Sequence, residues 1–172
     1  MPLSMGLKVS MSRERKRRGL VAGMAQSDAQ DPNFPYVHLW VSADGETHLQ
    51  ECTFQNFEKK TYAAGTDPQF TLTAPSPTKV VLTELVPHTQ QEWHAAPAVQ
   101  MVTCTAGSWY VKTSDGTRRE FKVGDILFQD NTKESPAAKE PHHFSGTVGE
   151  GPCQQVIVQM SRTPEVDNPG PL

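Results

Sequence analysis

The sequence predicts an all-β fold, a sandwich or barrel of short strands, and three observations carry the prediction. From Tyr36 onward β-branched and aromatic residues alternate with polar ones, and turn-forming residues interrupt the alternation about every ten residues. No stretch carries an apolar stripe sustained over three helical turns.

The alternation marks strands at Tyr36–Val41, His48–Phe57, Phe70–Thr73, Lys79–Val86 and Val99–Thr105, then at Trp109–Thr113, Arg118–Val123, Ile126–Gln129, His143–Val148 and Gln155–Met160. That is enough to close two sheets. Asp44-Gly45 and Asp115-Gly116 mark hairpins, and the expectation at both is a type I′ turn with two residues at positive φ. Between Asp130 and His142 the polar, proline-bracketed segment Asn131–Pro141 is long for a connection in such a fold. It reads either as a lid or as a neutral surface insertion.

Both ends differ from the middle. Residues 1–30 hold a dense basic run, Arg13-Glu14-Arg15-Lys16-Arg17-Arg18, with no period that would bury a face, and read as a disordered basic arm. Its functional readings are a nucleic-acid or nuclear patch and an organelle transit peptide, against a plain solvated tail. Met24 is an alternative start. Residues 31–162 form one barrel domain, and residues 163–172, with Pro164, Pro169 and Pro171, form an extended C-terminal tail that cannot continue a sheet.

The 172 residues carry 16 Lys and Arg against 19 Asp and Glu, a net charge of −3, so the whole-chain balance recruits neither nucleic acid nor an anionic membrane. The longest apolar runs, such as Val156-Ile157-Val158, are far too short for a membrane-spanning helix. Cys52, Cys104 and Cys153 form no paired spacing. They read as small buried hydrophobes and fit a cytoplasmic or other reducing compartment.

The segment His88–Gly107 carries Trp93-His94, then Gln100, then Gly107, and Gly124-Asp125-Ile126-Leu127-Phe128 turns into a later strand ahead of His142-His143. On these residues the chain resembles the cupins, jelly-roll β-barrels whose first motif reads Gly-x5-His-x-His-x3–4-Glu-x6-Gly and whose second reads Gly-x5-Pro-x-Gly-x2-His-x3-Asn. In register, His88 stands at the first Gly, His94 at the first His, Ala96 at the second His, Gln100 at the Glu and Gly107 at the closing Gly. The nearest likeness is to small single-domain cupins with Trp-His-x-Ala-Pro, here Trp93–Pro97, and it covers roughly Tyr36–Met160. The resemblance implies a cupin-type jelly roll, also described as a double-stranded β-helix.

It also implies a site. His94, Gln100 and His143 stand where the family holds a divalent transition metal, for which Fe, Mn, Ni and Zn all suit a set of imidazoles and oxygens. Counting back from Gly149 favours His143 over His142, since adjacent strand residues face opposite ways. Absent a bulge, Glu92 shares the face of His94 and is a spare oxygen donor or catalytic acid/base. Asp130 at the barrel mouth is the other acid/base, against a turn-capping role. Trp93, Trp109 and Phe128 are the pocket aromatics, against plain core. His38 and His48 lie outside the motif, and His88, at its first Gly, reads with them as an isolated strand or loop histidine.

The function expected is a metal-supported enzyme acting on a small organic acid or carbonyl compound, of oxygenase, isomerase or lyase type. The rival is a metal-free cup for a small molecule. A small-molecule ligand or substrate is the expected partner, a homodimer is compatible, and neither nucleic acid nor membrane is expected.

Overall fold

The computed structural model describes residues 32–61, 63–73 and 77–172. The basic arm, with its targeting and nucleic-acid readings, lies outside the described residues. Among those described there are twelve strands and no α-helix, so no helix is long and apolar enough to cross a membrane.

Eight consecutive strands build the barrel: β5 (Pro77–Leu85), β6 (Gln90–His94), β7 (Gln100–Ala106), β8 (Ser108–Thr113), β9 (Arg118–Lys122), β10 (Ile126–Gln129), β11 (His143–Thr147) and β12 (Cys153–Met160). They pair antiparallel as β5 with β12, β6 with β11, β7 with β10 and β8 with β9. This nested order is a long antiparallel ribbon rolled on itself, which makes the fold a jelly roll. It is the jelly roll, or double-stranded β-helix, that the resemblance implies. A hairpin of β1 (Pro35–Val41) and β2 (Thr47–Thr53) adds to β10 through a parallel pairing. The larger sheet therefore runs β2-β1-β10-β7-β12-β5 and the smaller runs β6-β11-β8-β9. A separate ribbon pairs β3 (Glu58–Lys60) with β4 (Gln69–Thr71).

Three details differ from the sequence reading. The expected strand His48–Phe57 ends at Thr53, and two strands, β3 and β6, lack enough alternation to announce themselves. The two hairpin turns are not type I′. Only the glycines take positive φ, 87° at Gly45 and 89° at Gly116. Gly45 N bonds Ser42 O while Ser42 N bonds Glu46 O, and Gly116 and Thr113 repeat the pattern, as in a type I turn closed by a glycine bulge. Asp44 and Asp115 accept the Glu46 and Thr117 amides with their side chains, so their role is capping.

The core has two parts. Between the sheets, at the closed end, lie Val37, Leu39, Val102, Cys104, Trp109, Val111, Phe121, Leu127 and Cys153. On the outer face of the larger sheet Tyr36, Phe54, Val99, Phe128 and Met160 form a second cluster, against which Leu172 of the tail packs. The tail is held there by specific bonds: Asp167 N to Val41 O, Gly170 N to His38 Nδ1 at 3.1 Å and Leu172 N to the Tyr36 hydroxyl at 3.2 Å. It bends at Asp167 and Gly170, both at positive φ, and lies along β1.

Candidate functional site

A cavity of about 360 Å³ lies between the sheets and shares Val102 and Trp109 with the apolar core. Strand pairing stacks its lining in three rows on the larger sheet. Lys79, Gln159, Gln100 and Gln129 lie side by side in the outermost row. Val81, Ile157 and Val102 form the next, Thr83 and Gln155 the third, and Leu85 lies one step deeper. The smaller sheet contributes His94 and His143 at the outer row, Gln91 and Ser145 at the middle and Trp109 at depth.

The strand β6 does not present the residues that plain alternation predicts. His143 faces His94, but Ser145 faces Gln91, so Glu92 and Trp93 together oppose the single residue Phe144. This β-bulge shifts the parity by one. Gln91 turns inward and accepts the Ser145 hydroxyl at 2.5 Å, while Glu92 is exposed and offers the cavity no side chain. The expectation that Glu92 joins His94 is therefore corrected. Trp93 is also placed outside, 42% exposed, with its ring 6.0 Å from Phe144.

Two more expected site residues face the other way. Phe128 sits between inward-facing Leu127 and Gln129, so it belongs to the outer cluster, against Tyr36 and His38. Asp130 is fully buried outside the cavity, 3.7 Å from His38 Nε2 and 4.0 Å from an Arg162 guanidinium nitrogen. Its neighbour His38 is held below the usual imidazole range by burial, against the opposing pull of Asp130. The structure thus brings together His94, Gln100, His143 and Trp109, and separates from them Glu92, Trp93, Phe128 and Asp130. His142 lies off the cavity, 3.1 Å from Glu140. The segment 131–141 lines none of it. Asn131 O bonds Ala96 N and Ala138 N bonds Ala43 O, which pin the segment to the rim.

Hydrogen bonds set the chemistry of the two imidazoles. His94 Nδ1 lies 2.6 Å from the Glu92 carbonyl, which can only accept, so Nδ1 carries the proton and Nε2 keeps its lone pair. His143 is the reverse. Asn131 Nδ2 lies 3.3 Å from the Pro141 carbonyl and 2.8 Å from His143 Nδ1, so the amide donates to both and the proton of the neutral ring belongs on Nε2. The ring is neutral because burial, with His94 and His142 adding to it, pushes its pKa down to about 3. The two ring centroids are 4.2 Å apart.

The side-chain amides continue this pattern. Gln129 Nε2 lies 3.3 Å from His143 Nε2, Gln100 Nε2 2.7 Å from Gln129 Oε1 and Gln159 Nε2 3.3 Å from Gln100 Oε1. A protonated Nε2 needs an acceptor, and a concerted half-turn of the three amides supplies one. His143 then donates to Gln129, Gln129 to Gln100 and Gln100 to Gln159, leaving the Gln159 amide N–H groups as donors beside Lys79. Gln91, Gln129, Gln155 and Gln159 carried no motif. Their signal is inward parity at polar positions of strands that otherwise bury apolar residues.

A divalent metal does not fit this donor set. One imidazole lone pair, on His94, is available, His143 Nε2 holds a proton, and the amides are neutral. The lining contains no carboxylate among the described residues, and no group of three or more His, Cys, Asp or Glu there is close enough to hold an ion.

No family model matches the chain, and no curated protein matches it. Solved structures do. A cupin 2 conserved barrel domain protein from Salinispora arenicola is 19% identical over 51% of this chain and 71% of its own, with a TM-score of 0.36. Protein NMB1881 from Neisseria meningitidis is 17% identical over 51% of this chain and 84% of its own, also at 0.36. Drosophila melanogaster CENP-C, solved bound to CAL1, is 10% identical over 60% of this chain and 78% of its own, at 0.37.

Proposed function

We propose that this chain is a metal-independent binding protein whose jelly-roll cavity is a cup for a small polar organic molecule. The observation that carries the reading is the carboxylate-free layer of His94, His143, Gln100 and Gln129 across the cavity, where the cupin resemblance implies a ligand set with a carboxylate. Buried polar groups cost stability unless they are bonded, and these bond to one another and to a guest. Apolar walls from Val81, Val102 and Ile157 supply the remaining contact area, as in most small-molecule sites.

A second reading, a metal-supported enzyme acting on a small organic acid or carbonyl compound, has one observation in its favour. His94 donates Nδ1–H to a carbonyl, the orientation that presents Nε2 to a metal. One experiment separates the two. Protein purified without affinity metal or chelator is assayed for Fe, Mn, Ni and Zn, and its melting temperature is taken with and without chelator. The binding-cup reading expects well under one tenth of a metal per chain and an unchanged melting temperature. It expects Gln100→Glu to gain metal affinity, by adding an anionic donor beside His94. One metal per chain in the parent, lost in both His94→Ala and His143→Ala, makes the enzyme reading the better one.

A further inference from the structure

We infer that the ligand of this cup is a short organic acid carrying a hydrogen-bond acceptor at the end opposite its carboxylate. The inference rests on the binding-cup reading and adds the chemistry of both ends of the guest.

The cavity is polar at both ends, and between them the larger sheet presents an apolar wall opposite Gln91 and Ser145. At the outer end Lys79 is the only Lys, Arg, Asp or Glu in the lining among the described residues, and it pairs in register with Gln159. One ammonium, neighbouring amide donors and no carboxylate favour a guest with a negative head group. The apolar wall is Val81, Ile157 and Val102, which asks for a hydrocarbon body.

At the inner end two N–H donors, Trp109 Nε1 and Gln155 Nε2, are buried with no hydrogen-bond partner. Their residues are 4% and 5% exposed, and both line the cavity. Trp109 Nε1 has no acceptor at a depth where a donor needs one, and the Gln155 amide has beside it only the Cys153 thiol, a weak acceptor. A guest with an oxygen there, a carbonyl or a second carboxylate, satisfies both. The two ends are four residues apart on β12, from Gln159 to Gln155, which at the strand rise is about 13 Å between backbone positions. After both sets of side chains reach inward, the remaining gap suits a short chain rather than a long acyl chain or a bulky ring system.

The test is calorimetric titration of the full chain, free of added metal, with 5-oxohexanoate, hexanoate and 5-oxohexanamide. The expected result is saturable binding of 5-oxohexanoate, with the two others at least tenfold weaker, since one lacks the inner acceptor and the other the charge. Lys79→Met is expected to erase the preference for acid over amide. Gln155→Leu and Trp109→Phe are expected to erase the preference for oxo acid over plain acid. Equal affinity of the three compounds for the parent protein overturns the inference, as does the absence of saturable binding by any of them, and neither needs a variant to fold. Both results leave the cup open to a guest of other chemistry. Discrimination that appears only after Zn(II) or Fe(II) is added upholds the acid assignment and overturns the metal-independent reading instead.

Discussion

His143 is decided by two neighbours, a carbonyl that can only accept and an asparagine between them. Because Asn131 donates to both Pro141 O and His143 Nδ1, the ring serves the cavity as a neutral N–H donor. The same burial has a consequence for stability. With a folded pKa of about 3 against an ordinary 6.5, the native ring refuses a proton that the unfolded chain accepts. The stability it contributes is complete above about pH 6.5 and is lost progressively as the pH falls towards 3. His38, also held down, adds to the same slope. In urea titrations between pH 6 and pH 4, His143→Asn is expected to flatten the pH dependence by about 1.4 kcal/mol per pH unit, the worth of one proton. An unchanged slope would mean that His143 titrates normally. At this scale the motif spacing made His94, Gln100 and His143 legible, and Trp109 was legible as an aromatic of the same barrel. Asp130 and Phe128 were misplaced because the larger sheet buries apolar residues on both faces. Alternation then divides a strand into two sets without saying which set faces the cavity.

At the scale of elements, the irregularities carry the site. The bulge at Glu92–Trp93 exchanges an exposed glutamate for Gln91, and nothing in the local sequence announces the extra residue, since its cause is the pairing with β11 far along the chain. The hairpin at Gly107 is legible, by contrast, because it is fixed by a collision. Gly107 has φ of 70°, and a Cβ there would lie 2.1 Å from the Pro152 carbonyl oxygen, whereas at Gly116, with φ of 89°, a Cβ would meet no atom within 4 Å. Gly116→Ala is therefore expected to cost about 1 kcal/mol, the backbone term alone. Gly107→Ala is expected to cost about 2–3 kcal/mol or more, since backbone must also shift. Chemical denaturation of both variants checks this, and equal losses would show that the β7–β8 turn and the strand behind it can part without penalty. The segment 131–141 was legible as long and polar, but its role was not. Its backbone anchors to Ala43 and Ala96 place it as a brace of the rim that also positions Asn131.

For the whole molecule, the fold followed from the sequence because a jelly roll is a succession of short alternating strands, each legible by itself. The nested pairing of β5 to β12 then stacks the lining side chains in rows, and it is this arrangement, not any one strand, that sets an apolar wall of the larger sheet between polar rows. No contiguous motif encodes such a layer, because Lys79, Gln159, Gln100 and Gln129 come from four strands. The central claim is that His143, Gln129, Gln100 and Gln159, beside Lys79, form a carboxylate-free hydrogen-bonding network in which His143 donates from Nε2. The most direct measurement is long-range proton–nitrogen NMR of the full chain labelled with nitrogen-15 in histidine, recorded at neutral pH before and after one equivalent of Zn(II). The account predicts a His143 ring protonated at Nε2 and unprotonated at Nδ1, with neither signal moved by zinc. A ring protonated at Nδ1, with its Nε2 signal shifted together with that of His94 when zinc is added, would contradict it.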